Sequence, residues 1–343
     1  MGIAPQEGNA VKSWTFALTL LAASGLAAPA DPSPAPAAPA SDRTTVIAVV
    51  GIAGSEEYGP IFSDEVDRWE KISAQADAKF LAIGRKAEGT TSDHDLFKQA
   101  LEAEPKDGLG KLWIVLIGHG TFDGKEAKLN LRGPDVSATE LALWLQPFHR
   151  PLAVIDTTSA SAPFLTKLSG TDRVIITATR SGDEQNYARF GQYFVEALAD
   201  PQSDLDKDGE ISLLEAFLSA SARTAEFYKT EGRLATEHPL IDDNGDGLGT
   251  PPDWFEGVRA VKKARDGASV DGPLAQQFVL LPSAEEQKLS PTLRAQRDKL
   301  ELAVSRLRDQ KATLAEDDYY ARLEAILLPL AKLYPQPAGS VDK

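Results

Sequence analysis

The chain contains no cysteine. That excludes disulfides, a thiolate-held zinc and, above all, a thiol nucleophile. Histidine is scarce as well, with four in 343 residues, and no two of them share the i, i+4 spacing that puts two imidazoles on one helix face. A phosphate-cradling loop is also missing. Gly51 and Gly54 close the first apolar run without the Lys and Ser/Thr such a loop requires. Positive charge is in short supply: 36 Lys and Arg face 51 Asp and Glu, a net charge of −15. Nucleic-acid binding needs a basic footprint, so that class of partner is set aside. The acidic surplus suits solubility and divalent cations.

One uncharged stretch is long. After Lys12, residues Ser13 to Ala30 carry no charge, and Ala28-Pro29-Ala30 fits a small-residue cleavage site. This pattern predicts a signal peptide over 1–30, export to a periplasmic or extracellular space, and no membrane attachment once the leader is removed. The alternative is an uncleaved anchor, for which the stretch is short and Ala-rich. Residues 31–42 are Pro/Ala-rich and read as an extended linker.

From Thr44 onward, apolar runs alternate with helical periodicity. Thr44–Val50, Lys79–Gly84, Leu112–Ile117, Pro151–Ile155 and Asp172–Ala178 read as strands. Ile61–Ala76, Ser92–Glu104, Ser137–Gln146 and a segment starting at Tyr193 read as helices between and after them. The alternation predicts an α/β domain with a mostly parallel sheet flanked by helices.

Two strand ends carry the polar residues. Leu112–Ile117 runs into Gly118-His119-Gly120, and Pro151–Ile155 runs into Asp156-Thr157-Thr158-Ser159-Ala160-Ser161. Ligands sit beyond the C-terminal ends of parallel strands. A His at one end and a hydroxyl cluster at the next is the layout of a base with a nucleophile. His119, Thr158 and Ser159 are therefore the candidate catalytic residues.

The most specific local motif is Asp204 to Glu215. It matches the twelve-residue EF-hand loop at each diagnostic place. Asp204, Asp206 and Asp208 supply carboxylates at alternate positions, Gly209 permits the sharp turn, Glu210 offers its carbonyl, Ser212 a ligand or bridged water, and Glu215 a bidentate carboxylate. Three carboxylates so spaced repel one another unless a cation sits among them. The expected cofactor is Ca2+. A looser copy begins at Asp242, with Asn244, Asp246 and Gly247 in register and Asp253 at the twelfth place. Pro251-Pro252 prevents an immediate helix there. Gln277–Leu281 reads as a further short strand.

Past Pro282 the composition shifts. Leu293, Leu300, Leu307 and Leu314 recur at seven residues, and Asp317–Tyr334 has helical periodicity interrupted by Pro329. Residues 283–343 are predicted to form a helical hairpin, packing on its own domain or serving self-association or a partner.

At Ile117-Gly118-His119-Gly120-Thr121, Val154-Ile155-Asp156-Thr157-Thr158-Ser159-Ala160-Ser161 and Ile176–Gly182, the chain resembles the caspase/legumain clan of peptidases, closest to its exported bacterial legumain-like members. The resemblance spans roughly Thr44 to Tyr228. It implies a caspase-like sheet over 43–282 that contains both Asp-rich loops, and a site for peptide. Where relatives carry the nucleophilic Cys, this chain has Thr158. A hydroxyl ionises far less readily than a thiol and needs a strong adjacent base. Three functions follow. One is an exported, calcium-binding pseudo-peptidase that holds a peptide or protein without cutting it. Another is an active endopeptidase using Thr158 or Ser159 with His119. The third is an interaction scaffold built on the C-terminal helices.

Overall fold

Unbroken apolar runs become the central strands of a sheet covered on both faces. The computed structural model describes residues 42–86 and 89–333. The expected signal peptide lies outside the described residues, as do nearly all of the linker and the chain beyond Leu333. In order, the elements of the sheet region are β1 (Thr45–Val50), α1 (Tyr58–Gln75), β2 (Lys79–Ile83), α2 (Asp93–Ala103), β3 (Leu112–Ile117), β4 (Gly120–Phe122), β5 (Ala127–Leu129), β6 (Val136–Ser137), α3 (Ala138–Leu145), β7 (Leu152–Asp156), α4 (Ala162–Leu168), β8 (Arg173–Thr177), α5 (Phe190–Ala199), α6 (Leu213–Thr230) and β9 (Leu240–Asp242). A small hairpin, β10 (Phe255–Glu256) with β11 (Arg259–Ala260), and two helices, α7 (Pro291–Asp309) and α8 (Glu316–Leu333), follow.

The main sheet has the order β2-β1-β3-β7-β8-β9. All neighbours are parallel except β8 and β9. Every residue of β1, β3 and β7 is buried, as expected for strands with helices on both sides. Alternate side chains feed two cores. Val46, Ala48, Trp113, Val115 and Ile155 pack toward α1, α5 and α6. Ile47, Val49, Ile114, Leu116 and Val154 pack toward α2, α3 and α4. β2 lies at an edge, and its Leu81 is correspondingly exposed. Caps match the sequence: the Ser92 and Ser137 side chains accept from the Asp95 and Glu140 N–H groups.

Three features depart from the sequence reading. The β3-to-β7 crossover contains the antiparallel sheet β4-β5-β6 before its helix. These strands are too short to show a period. The start of the second Asp-rich loop is itself a strand, β9, paired with β8. The strand expected over Gln277–Leu281 is instead a 3-10 turn followed by a single antiparallel bridge from Val279 to Ser212. Its one neighbour is the exit of the Asp204 loop, which turns directly into α6, so no ladder can propagate.

The chain leaves β1 outward to β2 and returns inward to β3. This reversal opens a crevice beyond the C-terminal ends of β1 and β3. At the other end of the chain, α7 is tied to the body by Gln277, whose Nε2 donates to Asp298 O at 2.6 Å. Of the seven-spaced leucines, Leu307 is buried whereas Leu293 is 36% exposed. Among the described residues, no helix is long and apolar enough to cross a membrane.

Candidate functional site

His119 enters the crevice because the backbone around it can approach its neighbours closely. Gly118 adopts φ +136°, and a Cβ there would stand 3.1 Å from the Gly51 Cα. A Cβ on Gly120 would lie 2.1 Å from Ser159 O. The exits of β3 and β7 therefore touch backbone to backbone. The imidazole Nε2 lies 3.2 Å from Ala53 O. Around the ring stand Tyr58, Phe62 and Tyr187, with centroids at 4.6, 5.3 and 6.1 Å. Tyr58 and Tyr187 are only partly buried, so the crevice has an aromatic wall. Burial pushes the Tyr187 hydroxyl up, and it stays neutral.

The hydroxyls are bonded to partners other than this ring. Thr158 N and Oγ1 both donate to Asp156 Oδ1, at 3.0 and 2.6 Å. Ser159 Oγ accepts from Gly120 N at 3.0 Å and donates to Gly120 O at 3.1 Å. Thr158 is 0% and Ser159 1% exposed. Ser161 is occupied with Thr179. The fold thus gathers His119, Thr158 and Ser159 at one edge of the sheet. It makes no hydrogen bond between the imidazole and either hydroxyl, and both hydroxyls satisfy neighbouring groups instead.

Two buried acids lie beneath. Burial raises Asp156 to about 7 despite the bonds from Thr158, which oppose the shift. Glu65 of α1 is raised to about 8 by burial, against a hydrogen bond from Thr157 Oγ1 at 3.3 Å. Burial shifts both carboxyls toward the protonated form. Glu65 carries no motif, and only the packing of α1 across the β7 exit brings it here.

The Asp204 loop turns as its sequence demands. Lys207 and Gly209 have φ of +65° and +90°. Asp204 Oδ1 and Oδ2 accept from the N–H groups of Lys207 and Gly209, Asp206 Oδ1 from Asp208 N, and Asp208 Oδ1 from Glu210 N. One carboxylate oxygen from each of Asp204, Asp206 and Asp208 lies within 4.8 Å of the others. Glu215 closes the loop. Its Oε1 accepts from Leu205 N and Asp206 N, and its Oε2 from Ser212 N and Oγ, in a capping box at the start of α6. Burial, reinforced by neighbouring carboxylates, pushes Asp206 and Asp208 up. The donors are all hard oxygens, the set calcium prefers. Glu210 also reaches out of the loop, accepting from Ser283 N at 2.6 Å.

The second loop repeats the turn bond for bond. Asp242 accepts from Gly245 N and Gly247 N, Asn244 Oδ1 from Asp246 N, and Asp246 Oδ1 from Leu248 N. Gly245 and Gly247 take φ of +79° and +73°. Asp253, expected at the twelfth place, is exposed and makes no hydrogen bond to the loop among the described residues, because Pro251-Pro252 leads it into a 3-10 turn. Asp271 stands there instead. Its Oδ1 accepts from Asp243 N and Asn244 N, and its Oδ2 from Thr250 Oγ1, the counterparts of the Glu215 bonds to Leu205, Asp206 and Ser212. Burial and the charge of Asp243 push Asp271 up. Nothing in the spacing marks Asp271, since the chain must return to deliver it.

No family model matches the sequence, and no curated protein does. Among solved structures, the chain is similar to Caspase-1 from Spodoptera frugiperda, with 11% identity and a TM-score of 0.38 over 59% of this chain and 87% of that one. It is also similar to the Drosophila initiator caspase Dronc, with 12% identity and a TM-score of 0.38 over 60% of this chain and 82% of that one.

Proposed function

We propose that this is an exported, calcium-binding relative of the caspase/legumain peptidases that holds a peptide or protein without cleaving it. One observation carries the reading. The hydroxyls at the nucleophile position are buried and bonded to Asp156 and Gly120, while His119 faces a carbonyl and an aromatic wall. In this arrangement the imidazole is not placed to activate either hydroxyl, whereas a crevice with partly exposed aromatic edges suits peptide contact. The endopeptidase alternative would require Thr158 or Ser159 to leave these partners.

In this reading, calcium bound through Asp204, Asp206, Asp208, Ser212 and Glu215, with the Glu210 carbonyl, would fasten the loop between α5 and α6. A second ion bound through Asp242, Asn244, Asp246 and Asp271 would fasten β9 to the segment that follows. Export rests on residues 1–30, and the N-terminal mass of the secreted protein tests it.

The deciding experiment incubates the mature protein with a mixed-sequence peptide library, with and without calcium, alongside His119→Ala. The expected result is retention of a subset of peptides with none cleaved. Cleavage that disappears in His119→Ala overturns the reading in favour of a hydroxyl peptidase. The outer face of α8, where Tyr320, Leu327 and Leu328 are 49, 43 and 55% exposed, favours self-association as a second role. Sedimentation of Leu327→Glu/Leu328→Glu against the parent protein tests it, and an unchanged monomer in both excludes that role.

A further inference from the structure

The exit of the Asp204 loop is also the anchor of the C-terminal helices. Leu213 N donates to Phe278 O at 2.8 Å, and Ser212 forms an antiparallel bridge with Val279. Glu210 Oε1 accepts from Ser283 N at 2.6 Å. Residues 210–213 thus hold residues 278–283, the segment that leads into α7. From Ser283 the contacts continue outward. Its Oγ accepts from Glu286 N at 3.3 Å. Glu286 pairs with Arg297 of α7, which also pairs with Asp298 at 2.8 Å. Beyond this joint the helices are lightly held. Among the described residues, α7 buries only Leu307 and α8 only Tyr319. Elements with so few buried apolar contacts belong to the low-stability end of a fold. A modest change at the joint is therefore enough to shift their docking.

The joint is acidic on both sides. Asp204, Asp206, Asp208, Glu210 and Glu215 lie in the loop. On the other side, the charges of Glu286 and Glu301 are within Coulombic reach of Asp208. Like charges across a joint oppose its closure, and a divalent cation in the loop would remove that opposition. Two residues give the coupling its route. Glu210 would offer its carbonyl to the ion while its carboxylate holds Ser283. Ser212 would serve the ion while its backbone pairs with Val279. An ion that fixes these two residues also fixes the segment they hold.

We infer that calcium in the Asp204 loop fastens the C-terminal helical pair to the sheet domain, so that the docking of α7 and α8 depends on calcium. This rests on the calcium reading of that loop, and on neither the peptide reading nor the second loop. Linkage makes the effect mutual. Calcium strengthens docking by the same factor by which docking strengthens calcium binding.

Hydrogen exchange of the full chain, in chelator and in calcium sufficient to fill the parent loop, tests this. The amides of α7 and α8 are expected to gain at least ~5-fold protection in calcium, the lower end of ordinary coupling between sites. Slow exchange in β3 and β7 shows that each variant is folded. Glu215→Gln, at a calcium level that fills the parent loop but not its own, should erase the gain. Ser283→Pro removes the N–H that Glu210 accepts and alters no loop residue. It should erase most of the gain and weaken calcium binding at this loop, read by calorimetry, by the same factor. Arg297→Met, which cuts α7 from Glu286, is the second such variant. A gain that survives Glu215→Gln, or that survives both Ser283→Pro and Arg297→Met, overturns the proposal. Calcium binding without any gain in the helices overturns it and leaves the calcium reading intact, whereas no calcium binding at all overturns both.

Discussion

Asp271 stands to Thr250 as Glu215 stands to Ser212. In each loop a carboxylate accepts from the hydroxyl at the ninth place with one oxygen and from two backbone N–H groups near the loop's start with the other. In the first loop the carboxylate arrives on the helix that follows, and in the second it comes from a later pass of the chain. Two loops of unequal sequence thereby reach one geometry.

On the proposed calcium reading, the stoichiometry follows from this equivalence. Calorimetry on the full chain should give two ions per molecule. Glu215→Gln should weaken one site at least ~10-fold, since it removes the bidentate ligand of a hard cation. Asp271→Asn should do the same to the other, and Asp253→Asn should change neither. A loss on Asp253→Asn with none on Asp271→Asn would return the twelfth place to Asp253.

Stability should fall as pH rises from about 4 to 8. Glu65 and Asp156 have folded pKa values near 8 and 7, above the ordinary carboxylate values of about 4. The folded state thus binds protons that the unfolded state has released. Their favourable contribution is complete below about pH 4 and is lost progressively up to the folded pKa, at a limiting slope of about 1.4 kcal/mol per pH unit for each group. Denaturant titrations at constant saturating calcium should show the decline. Glu65→Gln, which keeps an acceptor for Thr157, should remove part of it.

A cysteine placed at Thr158 or Ser159 should be inert. Because the chain has no thiol of its own, Thr158→Cys and Ser159→Cys each give a clean reading with iodoacetamide. Both positions are shut from solvent, so alkylation in the native protein should run at least ~100-fold slower than in urea, limited by opening of the fold. Fast native alkylation together with new peptidase activity would show that the site opens toward His119.

Gly120→Ala should be among the most damaging single-methyl changes, costing about 3 kcal/mol or more. Its Cβ would sit 2.1 Å from Ser159 O, backbone against backbone, with no flexible side chain to give way. Chemical denaturation measures it. Gly59→Ala, with open space around its Cβ, serves as the control and should be neutral or slightly stabilising.

The sequence by itself determined what depends on neighbours along the chain. Continuous apolar runs rich in β-branched residues favour strands buried on both faces, and Val46–Val50, Leu112–Ile117 and Leu152–Ile155 became such strands. The Asp204–Glu215 loop was legible because every diagnostic residue lies within twelve positions and its bonds are local. Tertiary structure decided everything that requires distant segments to meet. The order of strands put Ala53 beside His119, and the packing of α1 brought Glu65 under Thr157. The returning chain placed Asp271, rather than Asp253, at the second loop. The fate of the central pair was decided in the same way. Sequence placed His119 and Thr158 at adjacent strand ends, but rotamer and burial, set by contact with Asp156 and Gly120, turned the hydroxyls inward. Spacing fixes which residues reach one edge of a sheet, and only packing fixes where their side chains point.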